Sequence, residues 1–465
     1  MRSKVVWILV FAVLTWTAPA AAGEQEATTV VPGLQHLVIS KGGAATGKSY
    51  RIQIGVFDRQ SDADRMLERA QENGFTAFPY TDGNVYRIVT PGLPHRANAE
   101  DLKRRLIDRG FSPPLEIEEI EQDLTHQNGP WKIHVLEADP RMVDVRVAHA
   151  YDAAIGLETT AELAVRRGAL AAVNGGYFRM EGLLAGDSRG VLQIAGRLLS
   201  EPDRGRAAVG FFDHDGAVGS VFGRLSFRGN VRFENGDQVL LNGINRHRGP
   251  SEIILFTPEF HRTTLTASQG AEVVIENGLV TEIRNGIGSS LIPPAGKVLS
   301  IGGERIEEML PRVRLGDTLS VEADLLPLLP DPEGEWEKAD HIVGGGPLLL
   351  WKGKRLDEPE KESISRVFLL ARHPRTAFGA KADGTLLLVT VDGRRPDESV
   401  GMSLPELTDL MLELGSVSAI NLDGGGSTTM VIDGRIVNHP SSLSGPRRNA
   451  DAILLFPRLG SGIRN

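Results

Sequence analysis

Apolar and polar positions alternate along Tyr50 to Val56: Tyr50, Ile52, Ile54 and Val56 fall on one side, Arg51, Gln53 and Gly55 on the other. That period predicts a strand with one buried face. From Ser61 the spacing lengthens, with Ala63, Met66, Leu67 and Ala70 recurring as on a helix until Gly74 stops it. Further strands are predicted at Phe75 to Phe78 and Val85 to Val89, a second helix over Ala99 to Asp108, and a last strand behind Gly110. The order βαββαβ predicts a small antiparallel sheet with both helices on one face, over residues 48–120.

From Trp131 onward short apolar runs are separated by Gly, Asn and Asp turns, which predicts many short strands. Examples are Val143 to Ala148, Ala169 to Val173, Val209 to Phe212, Ile253 to Phe256, Ala271 to Ile275 and Leu386 to Val391. One helix stands out. Ser403 and Glu406 form a capping box, Pro405 fits the first turn, and Leu404, Leu407, Leu410, Met411 and Leu414 make one apolar stripe before Gly415. The fold class expected is α+β: a small βαββαβ, ferredoxin-like module, then a large strand-rich mixed α/β domain over residues 130–460. Residues 23–47, rich in Gly, Thr and Val, read as a linker between the N-terminus and the module.

With 465 residues and 41% hydrophobic content, the chain has room for two or three domains with a sizeable core. A formal charge of −9 argues against a nucleic-acid partner, which needs a basic field. Arg2 and Lys4 precede an apolar run from Val5 to Thr17 and small residues at Ala18, Ala20 and Ala22, the layout of a secretory signal peptide over residues 1–22. Export to the periplasm or cell envelope follows as an expectation. Cysteine is absent, so disulfides and lipid attachment through cysteine are both excluded. No stretch after the signal is long and apolar enough to span a membrane.

The helix after Ser403 lies between an apolar run ending at Asp392 and another ending at Asp423. If those strands are parallel, their carboxyl ends share one sheet edge, and Asp392-Gly393-Arg394 and Asp423-Gly424-Gly425-Gly426-Ser427 become neighbours. Asn174-Gly175-Gly176-Tyr177-Phe178 ends a strand in the same manner. Strand ends of this kind are where open mixed sheets hold ligands. After Gly426 the chain re-enters a strand from Thr428 to Ile432, so the helix that a Walker loop or a dinucleotide fingerprint requires is missing. A glycine loop between strands predicts instead a nest of amides at Gly424, Gly425 and Gly426 turned toward an anion, with Ser427 and Thr428 hydroxyls beside it. Arg375, Arg394 and either Arg447 or Arg448 accompany these loops, and guanidinium groups hold phosphate oxygens bidentately. Strand-end carboxylates leave a calcium or magnesium site open. Without cysteine or an HExxH run, zinc is not expected. His373, beside Pro374 and Arg375, reads equally as an acid, a base or a packing residue.

Two resemblances sharpen this. Tyr50-Arg51-Ile52-Gln53-Ile54 and the later Tyr86-Arg87-Ile88-Val89 resemble the SPOR domain, a peptidoglycan-binding module. The resemblance implies that glycan strands lacking stem peptides bind the helix-free sheet face, where Gln53 points. Farther on, NGGYF, GGGPLL, HPRTAFGAKADGTLLLVTVDGR, LDGGGSTTM and RRNADAILLF stand in the order seen in the phosphodiester glycosidase family, which they resemble over roughly residues 130 to 460. This implies hydrolysis of the sugar C1–O bond of a sugar 1-phosphodiester, of N-acetylglucosamine type, in a phosphorylated envelope glycan. Such chemistry needs charge neutralisation on the departing phosphate and stabilisation of an oxocarbenium-like sugar. Arg375, Arg394 and the Gly424 to Gly426 amides suit the first task. Asp392 and Asp423 suit the second, as nucleophile or water-activating base, with Asn174 and Gly175 on a sugar hydroxyl or acetamido group. Arg447 is favoured over Arg448 by its offset from Asp451. A non-catalytic glycan-phosphate binder and a phosphodiesterase that breaks P–O are the competing readings.

Overall fold

The computed structural model describes residues 24–458 except 43–47, 83–84, 94, 113, 122–128, 357, 396 and 443–444. The signal peptide expected at residues 1–22 lies outside the described residues.

The small module forms as its periodicity requires: strand Lys48–Phe57, helix Gln60–Glu72, strands Phe78–Asp82 and Val85–Val89, helix Arg96–Asp108 and strand Glu116–Glu121. Ile52 and Ile54 pack under the helices with Ala63, Leu67, Ala99 and Leu106. The second strand starts at Phe78 instead of Phe75, because the Phe75 amide still bonds to Ala70 at the helix end and its ring meets Phe111 edge-on. Gln53 lies on the opposite face from Ile52 and Ile54, but it is not presented to solvent as expected. Its side chain is buried and its amide oxygen accepts from Arg87, while Arg51 pairs with Glu118. That face offers a charged network in place of a free glutamine.

The presumed linker is part of the large domain. Glu24–Val31 and Leu34–Lys41 form an antiparallel hairpin. Its second strand pairs along its length with Trp131–Ala138, from Leu34 opposite Ala138 to Lys41 opposite Trp131. Leu34 is fully buried, and the Thr and Val content that resembled a linker is that of a strand. The module is therefore inserted between two paired neighbouring strands.

The large domain is layered. An eight-stranded sheet runs, in spatial order, through Glu24–Val31, Leu34–Lys41, Trp131–Ala138, Leu386–Val391, Arg375–Lys381, Ser416–Asn421, Leu348–Trp351 and Lys354–Arg355. It faces a five-stranded sheet built from Arg435–Ile436, Met430–Ile432, Ala171–Asn174, Asp451–Pro457 and Val143–His149. Leu136, Leu388, Phe378 and Ile420 from the first sheet share one core with Val145, Val173, Met430 and Ile453 from the second. The helix Leu404–Glu413, with its capping box formed, covers the outer face of the first sheet through Leu404, Leu407, Leu410 and Met411. The helix Thr160–Arg167 covers the second through Leu163 and Ala164. Residues 180–340 supply much of two further sheets. Among the described residues no helix is long and apolar enough to cross a membrane.

The strand starting at Arg375 is antiparallel to both the Leu386 and the Ser416 strands and lies between them. Those two strands are thus parallel to each other, with the Arg375 strand between them. Their carboxyl ends, carrying Asp392 and Asp423, share an edge with the beginning of the Arg375 strand.

Candidate active site

Asp423 follows the apolar end of the Ser416 strand, and its backbone is fastened on both sides. Its N–H donates to the Gly175 carbonyl at 3.0 Å, and its carbonyl accepts from Asn174 Nδ2 at 2.7 Å. Asn174 Oδ1 accepts from Thr376 Oγ1 at 2.7 Å and from the Thr429 amide at 3.1 Å. Fully buried and bonded at both ends of its amide, Asn174 is a brace between three motifs instead of the expected sugar ligand. Gly175 is also structural. Its N–H donates to the Asp451 carbonyl, and a Cβ there would stand 1.9 Å from Asp451 Oδ1.

The Asp423 carboxylate accepts the Gly424 N–H at 2.9 Å, in a residue that is partly buried. Beyond Gly175 lies Asp451, only 2% exposed, accepting the Gly176 N–H at 2.7 Å. Burial raises both carboxyl groups above the ordinary aspartate range, with Arg447 acting against it at Asp423. The Asp423 charge adds to burial at Asp451, which is pushed up to about 6. Asp451 was not among the expected site residues, although the RRNADA motif that pointed to Arg447 contains it. Tyr177 completes this side: its hydroxyl donates to the Gly346 carbonyl at 2.8 Å and accepts from Asn421 Nδ2 at 2.9 Å. Burial, then the Asp423 charge, raises its pKa and keeps it a neutral donor.

Asp392 is not brought into this group. Its Oδ1 accepts from Asn438 Nδ2 at 3.1 Å and from the His439 amide at 2.9 Å. Its Oδ2 lies 3.8 Å from His134 Nε2. Burial pushes its carboxyl up to about 6 against those hydrogen bonds. Asn438 also holds the Thr428 carbonyl and the Met430 amide, so Asp392 supports the glycine loop from behind. Asp423 is thus brought near Asp451, whereas the Asp392 carboxylate is turned to Asn438 and His439.

The arginines divide in the same way. Arg375 is 1% exposed; its Nε donates to the Met402 carbonyl and its Nη2 to the carbonyls of Ala371 and Phe368. It pins loops together, contrary to the phosphate role expected of it. Arg394, buried and in the left-handed region at φ 62°, donates from Nη1 to Ser441 Oγ at 3.0 Å, while its Nε has no partner. Arg447 is half-buried beside it, whereas Arg448 is exposed on a short strand paired with Glu158–Thr159. His373 is a packing residue, buried and paired through its backbone with Met402.

The glycine run now has a physical cause. A Cβ at Gly424 would stand 2.7 Å from the Pro374 carbonyl oxygen, one at Gly425 2.8 Å from Arg394 Nη2, and one at Gly426 2.7 Å from Arg447 Cζ. Gly425 also sits at φ +63°, which costs other residues strain. The expected nest of amides does not form: the Gly424 N–H goes to its neighbour Asp423 and the Gly425 N–H to Pro374. Ser427 is fully buried in the short 3-10 turn that follows. Positive charge at this loop comes from Arg394 and Arg447, drawn in against bare backbone. No group of three or more His, Asp or Glu is placed to hold a metal among the described residues, so the calcium or magnesium site left open by the sequence has no ligand cluster there.

Residues 269–456 match the family model of phosphodiester glycosidases, and residues 46–115 match that of SPOR domains. Over 85 residues the chain is 45% identical to the N-acetylglucosamine-1-phosphodiester alpha-N-acetylglucosaminidase of Bos taurus and 38% identical to that of Homo sapiens. These alignments cover 18% of this chain and 16% of each relative. An uncharacterized prophage-derived protein of Bacillus subtilis is 41% identical over 73 residues, 16% of this chain and 11% of that one. The chain thus spans less than a fifth of the length of these curated relatives. A crystal structure of a protein from Burkholderia pseudomallei shares the fold, with a TM-score of 0.71 at 24% identity over 98% of this chain and 100% of that one. One of a hypothetical protein from Synechocystis shares it with a TM-score of 0.61 at 19% identity, over 94% and 80% of the two chains. The half-buried Asp423, buried Asp451, Arg394 and Arg447 all fall inside the first matched segment: the chain carries a domain of the phosphodiester glycosidase family, with a SPOR domain inserted ahead of it.

Proposed function

We propose that this protein is an exported hydrolase that cleaves the sugar C1–O bond of a sugar 1-phosphodiester, of N-acetylglucosamine type, in cell-envelope glycans. Its SPOR domain holds it to peptidoglycan. The observation that carries the reading is the pairing of a partly buried aspartate, Asp423, with two arginines on the adjoining glycine turn. A phosphate monoester leaves without a strong acid, so neutralising its charge is the main task, and Arg447 and Arg394 supply that. Asp423 faces the sugar carbon, as nucleophile or as the base that activates water. Asp451, behind Gly175, lies within reach of the Asp423 charge, which together with burial holds its carboxyl above the ordinary aspartate range.

The test is incubation with an N-acetylglucosamine 1-phosphodiester in ¹⁸O-labelled water. Free sugar carrying the label at C1, with an unlabelled phosphomonoester, supports the reading. Label in the phosphate overturns it in favour of P–O cleavage, and binding without turnover overturns it in favour of a glycan-phosphate binder. The anomer first released separates direct attack by Asp423, which retains configuration, from attack by activated water, which inverts it.

A further inference from the structure

The SPOR helix Gln60–Glu72 does not stand clear of the site. Its Glu68 accepts from Arg447 Nη2 at 2.7 Å, an ion pair joining positions 379 apart in sequence. A cavity of about 320 Å³ at this junction is lined by Asp64, Leu67 and Glu68 from the helix and by Arg394, Pro446 and Arg447 from the large domain. Arg394, 4% exposed, brings to this wall an Nε with no partner. Asp64, Glu68 and Glu72 recur every fourth residue, which places them on one face of the helix.

We propose that Glu68 is a carboxylate gate on the anion site: it occupies Arg447 in the resting protein, and a phosphate group enters by displacing it. The inference rests on reading Arg394 and Arg447 as phosphate ligands, and it adds that the SPOR domain controls access to them as well as location. Geometry favours displacement. Glu68 satisfies one arm of one guanidinium, whereas a phosphate offers several oxygens to both arginines. Burial and the neighbouring charges of Asp64, Glu72 and Glu181 oppose the charged form of Glu68, so its hold on Arg447 is weakened from its own side. Because the module is inserted between Lys41 and Trp131, both its ends are held and the helix is kept near the site.

Titration calorimetry of inorganic phosphate against the full chain tests this without requiring turnover. Glu68→Ala is expected to bind phosphate roughly ten-fold more tightly than the unmodified protein. Glu72→Ala, on the same helix face but exposed, is expected to change affinity less than about two-fold. Arg447→Ala is expected to weaken binding at least about ten-fold. Unchanged or weaker affinity in Glu68→Ala overturns the gate. So does an equal gain in Glu72→Ala, which would mean a diffuse acidic field, or unchanged affinity in Arg447→Ala, which would place the phosphate elsewhere. A gain in phosphate affinity from Glu68→Ala without sugar release from the diester would leave the gate standing and sink only the hydrolytic reading.

Discussion

Asp392-Gly393-Arg394 and Asp423-Gly424-Gly425 are nearly interchangeable as sequence: each follows a largely buried strand, and the two strands end on one edge of the same sheet. In three dimensions they do opposite things. The Asp392 carboxylate is 4% exposed and takes donors from Asn438 and His439. Asp423 is gripped through its backbone by Asn174 and Gly175, and its carboxylate takes a single backbone donor, from Gly424. A buried carboxylate saturated by neutral donors is a structural part, and one held by its main chain is free to react. The arginines repeat the contrast, since Arg375 spends its nitrogens on carbonyls and Arg394 keeps one unspent. Position at a strand end marks where a site lies, and the direction of hydrogen bonding decides which residues belong to it.

The sharpest way to break this contrast is to remove one charge at a time. Asp423→Asn should lower turnover of the diester by about a thousand-fold. Its melting temperature should stay level or rise, because burial already opposes the Asp423 charge. Asp451→Asn should cost about a hundred-fold in the same assay. A loss under about ten-fold in Asp423→Asn would remove that residue from the chemistry.

Gly425→Val should come next, with turnover falling roughly a hundred-fold and phosphate affinity falling as well. The left-handed backbone and the Arg394 guanidinium both exclude the side chain, so Arg394 must move. Retained phosphate affinity, measured by calorimetry, would show that Arg394 does not bind the anion.

Arg375→Met should act on stability instead. Three carbonyls lose their donor, and chemical denaturation should show a loss of about 3 kcal/mol, with the KM for substrate changed less than about three-fold. A large KM effect in a protein of normal stability would return Arg375 to the phosphate.

The smallest effect belongs to Asp392→Asn, whose turnover should stay within about three-fold of the unmodified protein, since an amide oxygen can still accept from Asn438 and His439. Its signature is a pH dependence. The folded-state pKa of Asp392 is raised, so its contribution to stability is complete below the usual value of 3.8 and is lost as pH rises to about 6. His134, lowered to about 4, works in the other direction, losing stability as pH falls from 6.5. The difference between melting curves of the two proteins from pH 4 to 7 isolates the aspartate. Parallel curves would mean that Asp392 does not titrate in that window.

Much of the scaffold was legible where apolar runs were continuous and bounded by turns. Leu386 to Val391, Val85 to Val89 and Ile253 to Phe256 form strands over those very residues. Glu24–Val31 was not, because it is largely exposed and carries polar residues on both faces, so no period of two emerges. In the site, three consecutive glycines announced a close approach of something to backbone, although not that the something was two guanidinium groups of the protein itself. Asn174 was misread because its partners lie more than 200 residues away, and a buried amide with satisfied hydrogen bonds looks in sequence like one awaiting a ligand. Asp451 was hidden as the first residue of an apolar strand. Glu68 was hidden as an acidic residue on the polar side of an amphipathic helix, where solvent is the default neighbour.

The insertion of the SPOR module also bears on how the chain folds. Lys41 and Trp131 must meet for the eight-stranded sheet to form, and a disordered segment of roughly 90 residues between them would make that closure entropically costly and slow. The module removes most of this span from the problem, because its own first and last strands pair, bringing Lys48 opposite Glu121. Once it has folded, only two short connections separate the host strands. A lesion in the module's own core such as Ile52→Ala would then slow assembly of the large domain, with the N-terminal hairpin the last part to join the sheet.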